Sequence, residues 1–121
     1  MKQDGTCRVL VVEDDPVTRE VLRRLLRACG CEAVAVDTAA GAEAELDAVE
    51  WVFLDLHLPD GGGVELLRSV RRRGLPVKVA VTVATPSVDR VTNARALKLG
   101  ADAVFPKPVE FAKLAAWVRA A

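Results

Sequence analysis

Apolar residues are concentrated in five short runs, which are separated by longer segments with helical spacing. The runs lie at residues 9–12, 33–36, 51–54, 79–83 and 103–105. Runs that are apolar at nearly every position are typical of strands covered on both faces. The segments at 16–28, 39–48, 63–73, 87–99 and 110–120 have the length and periodicity of helices. The pattern therefore predicts five strand–helix units.

The first of these helices has the clearest amphipathic pattern and the clearest ends. Its apolar face is expected to lie on the sheet, and the residues of that face are Val17, Val21, Leu22 and Leu25. The opposite face carries Arg19, Arg23 and Arg27. An acidic residue before Pro16 and a glycine at position 30 are typical helix boundaries. In the fourth helix the spacing predicts that Val88, Val91 and Ala94 face inward.

Repeated strand–helix units define the expected architecture. Because their crossovers are right-handed, five such units form a parallel sheet with helices on both faces. The chain has 121 residues, which is near the commonest size of a domain. We therefore predict a doubly wound α/β fold and a single domain over residues 1–121, with its core at about 8–118.

Composition and charge exclude several classes of function. The 17 basic residues balance the 17 acidic ones, so no global charge favours a nucleic acid or a membrane surface. Aromatic residues make up 4% of the chain, too few for a base-stacking surface. No apolar run approaches the ~20 residues that span a bilayer, and residues 1–6 lack the apolar segment of a secretion signal. We therefore expect a cytoplasmic protein without nucleic-acid or membrane binding.

Three cysteines occur, at positions 7, 29 and 31. An odd, small number of cysteines in a chain without a secretion signal does not indicate a disulfide framework. The spacing of Cys29 and Cys31 is also shorter than that of structural zinc sites. We therefore expect small, buried side chains with free thiols.

Charged residues follow three of the predicted strands, at their carboxyl ends. Glu13 and Asp14 follow the first strand, Asp55 ends the third, and Lys107 lies between two prolines after the fifth. Ligands bind beyond the carboxyl ends of the strands in such sheets. If the first and third strands are neighbours, Glu13, Asp14 and Asp55 converge. Carboxylates 4 Å apart repel each other by about 4 kcal/mol at an effective dielectric constant near 20, so a hard cation such as Mg²⁺ is then expected among them. Helix capping by Asp14 would leave Asp55 and Lys107 unexplained.

A metal and a lysine around one aspartate are what phosphoryl transfer requires. The motifs at 9–15, 54–67 and 99–103, with Lys107-Pro108, resemble the receiver domain of two-component response regulators. Single-domain receivers of the chemotaxis type are similar. The resemblance implies a flavodoxin-like sheet with strand order 2-1-3-4-5.

The resemblance also implies a role for each site residue. Asp55 would accept the phosphoryl group, and Lys107 would pair with it. Mg²⁺ or Mn²⁺ would be held by Asp14, by Asp55, by the backbone carbonyl of His57 and, through water, by Glu13. The Lys107–Pro108 peptide is expected to be cis. The His57 side chain could either tune hydrolysis of the acyl phosphate or simply face solvent.

The switch residues of the family are less clearly matched. The hydroxyl could belong to Thr82, which ends the predicted strand, or to Thr85, whose spacing from Asp55 and Lys107 is closer to that of the family. Thr85 before Pro86 also has the pattern of a helix cap, and we favour Thr82. The partner position, usually aromatic, is Val104.

The function implied is a receiver that is phosphorylated by a sensor histidine kinase or a histidine phosphotransfer protein and has no other enzymatic activity. A downstream protein would bind the face formed by helix 4, strand 5 and helix 5, and the chain would be a monomer or a weak dimer. A phosphorylation-independent interaction module is the alternative. A metal-dependent phosphatase is disfavoured because Asp55-Leu56-His57 lacks a second acid, and a flavin module because Glu13 and Asp14 would repel a phosphate.

Overall fold

The computed structural model describes residues 7–58, 62–83 and 90–120. Its five strands are β1 (Cys7–Val12), β2 (Cys31–Val36), β3 (Trp51–Asp55), β4 (Lys78–Val83) and β5 (Ala103–Pro106). All neighbouring strands are parallel, and the order across the sheet is β2-β1-β3-β4-β5. The predicted α/β fold and strand order are therefore confirmed.

The helices are α1 (Pro16–Ala28), α2 (Ala39–Glu43), α3 (Gly62–Arg72), α4 (Arg90–Leu99) and α5 (Phe111–Ala120). The helix expected over 39–48 is shorter than predicted, because a separate 3₁₀ turn occupies Leu46–Ala48. There the amide of Ala48 donates to the carbonyl of Glu45, three residues back. Residues 87–89 of the expected fourth helix lie outside the described residues.

Alternate strand residues point to opposite faces of the sheet and form two apolar layers. One layer packs beneath α2, α3 and α4 and includes Leu10, Val12, Val52, Leu54, Val79 and Val81. The other packs beneath α1 and α5 and includes Val9, Val11, Trp51, Phe53, Ala80 and Phe105. The alternation therefore also predicts on which face of the sheet the first side chain beyond a strand end lies.

Helix α1 meets the sheet along a different line from the one expected. Leu22 and Leu26, one turn apart, are its buried residues, whereas Val17 is 70% exposed and Val21 is 48% exposed. The prediction that Val17 and Val21 lie on the sheet is wrong, because the helix is rotated so that they face the segment after β5. Its predicted ends are confirmed: Asp15 caps the amide of Thr18 and Pro16 begins the helix.

The prediction that Val91 and Ala94 of α4 face inward is also wrong, since Val91 is 76% exposed and Ala94 is exposed. The helix instead packs on the layer formed with Leu10 and Val12 through the buried Ala96 and the partly buried Leu99. Val88 lies outside the described residues. None of the helices within 7–58, 62–83 and 90–120 is both long and apolar enough to cross a membrane.

Two of the three cysteines are paired, contrary to the prediction. Cys7 and Cys31 are directly opposite each other at the amino ends of β1 and β2, and they form a disulfide with a Cα–Cα distance of 4.7 Å. Cys29 alone is a free cysteine. The expectation of free thiols is wrong for two of the three, because only the strand register brings residues 24 positions apart into contact.

Candidate functional site

Three polar side chains are buried in the described part of the chain, and all three lie at the carboxyl ends of adjacent strands. Glu13 follows β1 and is 1% exposed, Asp55 ends β3 and is 5% exposed, and Thr82 lies near the end of β4 and is 1% exposed. The alternation of the strands places them on the face covered by α1 and α5. Burying polar groups is costly unless they are paired, so this cluster requires an explanation.

Lys107 supplies a positive charge to the cluster. Its Nζ atom lies 2.7 Å from Glu13 Oε1 and 3.2 Å from Asp55 Oδ2. The backbone fixes the residue directly after β5, because the Lys107 amide donates to the carbonyl of Val83 at 2.9 Å. The Lys107–Pro108 peptide is cis. The ammonium group therefore bridges the carboxylates that follow β1 and end β3.

The loop between β1 and α1 is held by its own hydrogen bonds. The amide of Asp15 donates to Glu13 Oε2 at 3.2 Å. One guanidinium nitrogen of Arg19 donates to the carbonyl oxygens of Glu13 and Asp14, at 3.0 and 3.3 Å. Arg19 therefore fixes the backbone that carries the acid pair. The amphipathic pattern places Arg19 on the polar face of α1 and carries no signal for this contact.

The carboxylates form a group that could hold a metal ion. One ligand atom each from Glu13, Asp14 and Asp55 lies within 4.8 Å of the others. Oxygen-only donors of this kind suit a hard cation such as Mg²⁺. Burial raises the pKa of Glu13, although its hydrogen bond with Lys107 opposes the rise. Burial alone would lower the pKa of Lys107, but Glu13 and Asp55 outweigh it and raise that pKa. The charged lysine is thus stabilised by the acids around it.

Thr82 is the register partner of Asp55. Its hydroxyl is buried and has no hydrogen-bond partner among residues 7–58, 62–83 and 90–120. The other candidate, Thr85, lies outside the described residues. Val104 pairs with Val81 and packs in the layer beneath α4. It therefore lies on the face of the sheet opposite to Thr82.

The loop after β3 has one contact that organises the site and one exposed side chain. The amide of His57 donates to Asp55 Oδ1 at 3.0 Å, while its side chain is exposed. Residues 59–61 are not among those described.

Gly63, in the first turn of α3, lies so close to the end of β3 that a Cβ atom would be 2.6 Å from the carbonyl oxygen of Leu56. The glycine run in the sequence was the only available signal for this close approach.

An open groove of about 330 Å³ continues from the site along α1. Its lining is mainly apolar, and it is formed by Val17, Thr18, Val21, Leu22, Leu25, Lys107, Pro108 and Val109. Lys107 thus contacts both the carboxylate cluster and this groove. The two exposed valines of α1 belong to a surface that is continuous with the site.

Comparison with known proteins identifies the class of protein that combines this fold and site. The family model described as the response regulator receiver domain matches residues 9–119. The chain belongs to this family: it is a receiver domain of two-component response regulators.

Similar proteins include two bacterial regulators. The transcriptional regulatory protein CutR of Streptomyces coelicolor is 37% identical over 119 residues, which cover 93% of this chain and 52% of CutR. The sensory transduction protein RegX3 of Mycobacterium tuberculosis is 36% identical over 114 residues, covering 93% of this chain and 49% of RegX3. The chain thus spans about half the length of these relatives.

A solved structure supports the same fold. A CheY-like response regulator receiver domain protein from Methanospirillum hungatei has a TM-score of 0.83 and 25% sequence identity to this chain. The similarity covers 96% of this chain and 93% of that one. The likeness therefore extends across nearly the whole of both chains.

Proposed function

We propose that Asp55 accepts a phosphoryl group from a phosphohistidine on a kinase or phosphotransfer protein. A carboxylate oxygen of Asp55 attacks the phosphorus, the phosphorus–nitrogen bond breaks, and the electron pair leaves with the imidazole. A bound Mg²⁺ would offset charge on the phosphoryl oxygens. The observation that carries the proposal is the burial of Asp55 among a second carboxylate, a lysine and a hydroxyl that has no partner in the described part of the chain.

The surrounding side chains have separate tasks in this proposal. Glu13 and Asp14 would hold the metal together with Asp55 and the His57 carbonyl, and the position of their backbone is fixed by Arg19. Lys107 would exchange part of its interaction with Asp55 for one with a phosphoryl oxygen. The Thr82 hydroxyl would donate to another phosphoryl oxygen.

We infer that the protein donor binds the groove along α1. The groove is open, mainly apolar and bounded by Lys107, so a partner seated on it brings its phosphohistidine close to Asp55. Exposed apolar surface of this kind is typical of protein interaction sites. Replacing Val21, which is 48% exposed, by Asp should abolish transfer from a protein donor and leave phosphorylation by a small acyl phosphate intact. Equal loss with both donors would contradict this role.

For the output we propose the face formed by α4, β5 and α5. Val91 and Leu97 on α4 are 76% and 45% exposed, and Phe111 on α5 is 43% exposed. Phosphorylation adds roughly two negative charges at Asp55, and β5 connects that site to this face through Lys107. The target would therefore be a protein with a complementary apolar surface.

Intact-mass analysis tests the phosphoacceptor. The protein is incubated with a small acyl phosphate and Mg²⁺, beside the variants Asp55→Ala and Asp37→Ala. Asp37 is a matched control because it also follows a strand, β2, but is exposed. We expect one phosphoryl adduct on the wild type and on Asp37→Ala, and none on Asp55→Ala. An adduct that survives Asp55→Ala would refute the assignment, and no adduct on any form would favour a phosphorylation-independent interaction module.

A further inference from the structure

The disulfide lies at the opposite end of the sheet from the phosphoacceptor. Cys7 begins β1 and Cys31 begins β2, whereas Asp55 and Lys107 lie beyond the carboxyl ends of the strands. The contacts of the two sites do not overlap. A chemical role for the cysteines therefore does not need the side chains of Asp55 and Lys107.

The two cysteine residues differ in their exposure to solvent. Cys31 is 5% exposed, whereas Cys7 is partly exposed, and both belong to the layer beneath α1 and α5. We therefore expect a thiol reagent to reach reduced Cys7 more easily than reduced Cys31. Cys29, a free cysteine that is also partly exposed, provides an internal reference for reactivity.

The disulfide closes a loop of the chain that carries two of the acidic site residues. The segment from Cys7 to Cys31 contains all of β1, the acid pair and all of α1. Strand β2 is at the edge of the sheet and pairs only with β1 within the described sheet. A disulfide reduces the number of open conformations available to the loop that it closes. We therefore expect β2 to separate from β1 more readily when the disulfide is reduced than when it is intact.

We propose that Cys7 and Cys31 form a reversible dithiol–disulfide site whose reactants are low-molecular-weight thiols and disulfides, such as the glutathione couple. In the oxidation, the Cys7 thiolate attacks a sulfur of glutathione disulfide and displaces one glutathione thiolate. The Cys31 thiolate then attacks the Cys7 sulfur of this mixed disulfide and displaces the second glutathione. The two cysteine protons end on the two released thiols, so two electrons pass to the small molecule. Reduction reverses both steps.

Alkylation tests the chemistry. The chain is reduced with dithiothreitol, exposed to glutathione disulfide, denatured, treated with iodoacetamide and mapped by peptide mass. We expect three alkylated cysteines after reduction and one, Cys29, after oxidation, and the cycle should repeat. Three alkylated cysteines after oxidation, a lasting glutathione adduct on Cys7 in the wild type, or a cross-link that includes Cys29 would overturn the proposal.

The order of attack is tested in a Cys29→Ser background. There Cys31→Ser should retain glutathione on Cys7, because no thiol remains to displace it. Cys7→Ser should leave the buried Cys31 unmodified over the time in which the intact pair is fully oxidised. Faster modification of Cys31 than of Cys7 would overturn the assignment of Cys7 as the attacking group.

Hydrogen exchange tests the structural consequence. Reduction of the wild type should lower the protection of amides in β2 and leave those of β4, a central strand, unchanged. Cys29→Ser should respond as the wild type does, and Cys7→Ala should show no difference between oxidising and reducing conditions. Equal protection of β2 in both states of the wild type, or a redox response that persists in Cys7→Ala, would refute the link between the cross-link and strand stability.

Discussion

Replacing Thr82 by Val tests two effects of its buried hydroxyl. One is the loss of stability that the hydroxyl causes before phosphorylation, and the other is the hydrogen bond that it would donate to the phosphoryl group. The side chain is 1% exposed and its hydroxyl is unpartnered in the described part of the chain. An unsatisfied buried polar group costs about 1–3 kcal/mol. Val has the same branched shape and suits a strand equally well. The unphosphorylated variant should therefore be more stable than the wild type by about that amount.

Phosphorylation should make the wild type more stable than Thr82→Val, which reverses the order of stability of the unphosphorylated proteins. If the Thr82 hydroxyl donates to a phosphoryl oxygen on Asp55, the bond to a charged acceptor contributes about 1.5–3 kcal/mol that Val cannot supply. Urea denaturation of both proteins, without and with an excess of acyl phosphate and Mg²⁺, measures the two differences. We expect the variant to gain less stability from phosphorylation than the wild type does.

Thr38 provides the matched control. Its hydroxyl caps α2 by accepting from the amide of Gly41 at 3.0 Å. The residue is exposed and is not one of those that form the carboxylate cluster. Thr38→Val should lower stability by about 0.5–2 kcal/mol through loss of the cap, equally in both states. A Thr82→Val protein that is less stable than the wild type before phosphorylation, or that gains as much from phosphorylation, would refute the reasoning.

Three further predictions concern the surroundings of the site. Gly63→Ala should destabilise the fold by about 1–3 kcal/mol, because its Cβ would lie 2.6 Å from a backbone carbonyl oxygen; an unchanged urea midpoint would contradict this. Arg19→Ala should weaken Mg²⁺ binding severalfold, measured as the Mg²⁺ concentration that gives half of the metal-induced stabilisation, and Arg19→Lys should recover part of the loss; identical midpoints would exclude a positioning role. Glu20 should titrate with a pKa of about 2, since hydrogen bonds from Arg23 and Arg24 lower it from 4.5. Because the folded-state pKa is the lower one, its contribution to stability is present above pH 4.5 and is lost as the pH falls toward 2; an NMR midpoint near 4.5 would contradict the pairing.

The sequence determined most elements of the fold because they are encoded locally, with α2 as the exception, since it is shorter than the helix expected over 39–48. Apolar runs and helical periodicity located all five strands, and Asp15, Pro16 and Gly30 marked the ends of α1. The positions of Glu13 and Asp55 at strand ends also followed from the sequence, since the direction of a parallel strand fixes which of its ends carries the ligands.

The sequence could not determine which face of a helix meets the sheet. The apolar stripe of α1 is wider than its contact with the sheet, so Leu22 and Leu26 are buried while Val17 and Val21 line an open groove. The pattern recorded hydrophobicity but not the rotation of the helix on the sheet. Only packing against the neighbouring elements selects that rotation.

Contacts between distant residues were likewise decided by the tertiary structure. The ion pair of Lys107 with Asp55 joins residues 52 positions apart, and the Cys7–Cys31 disulfide depends on the register of β1 against β2. The local sequence specifies neither of these two contacts, because both depend on the order and register of the strands. The sequence by itself therefore determined the elements and the kind of chemistry at their ends, and the assembled sheet decided which side chains meet.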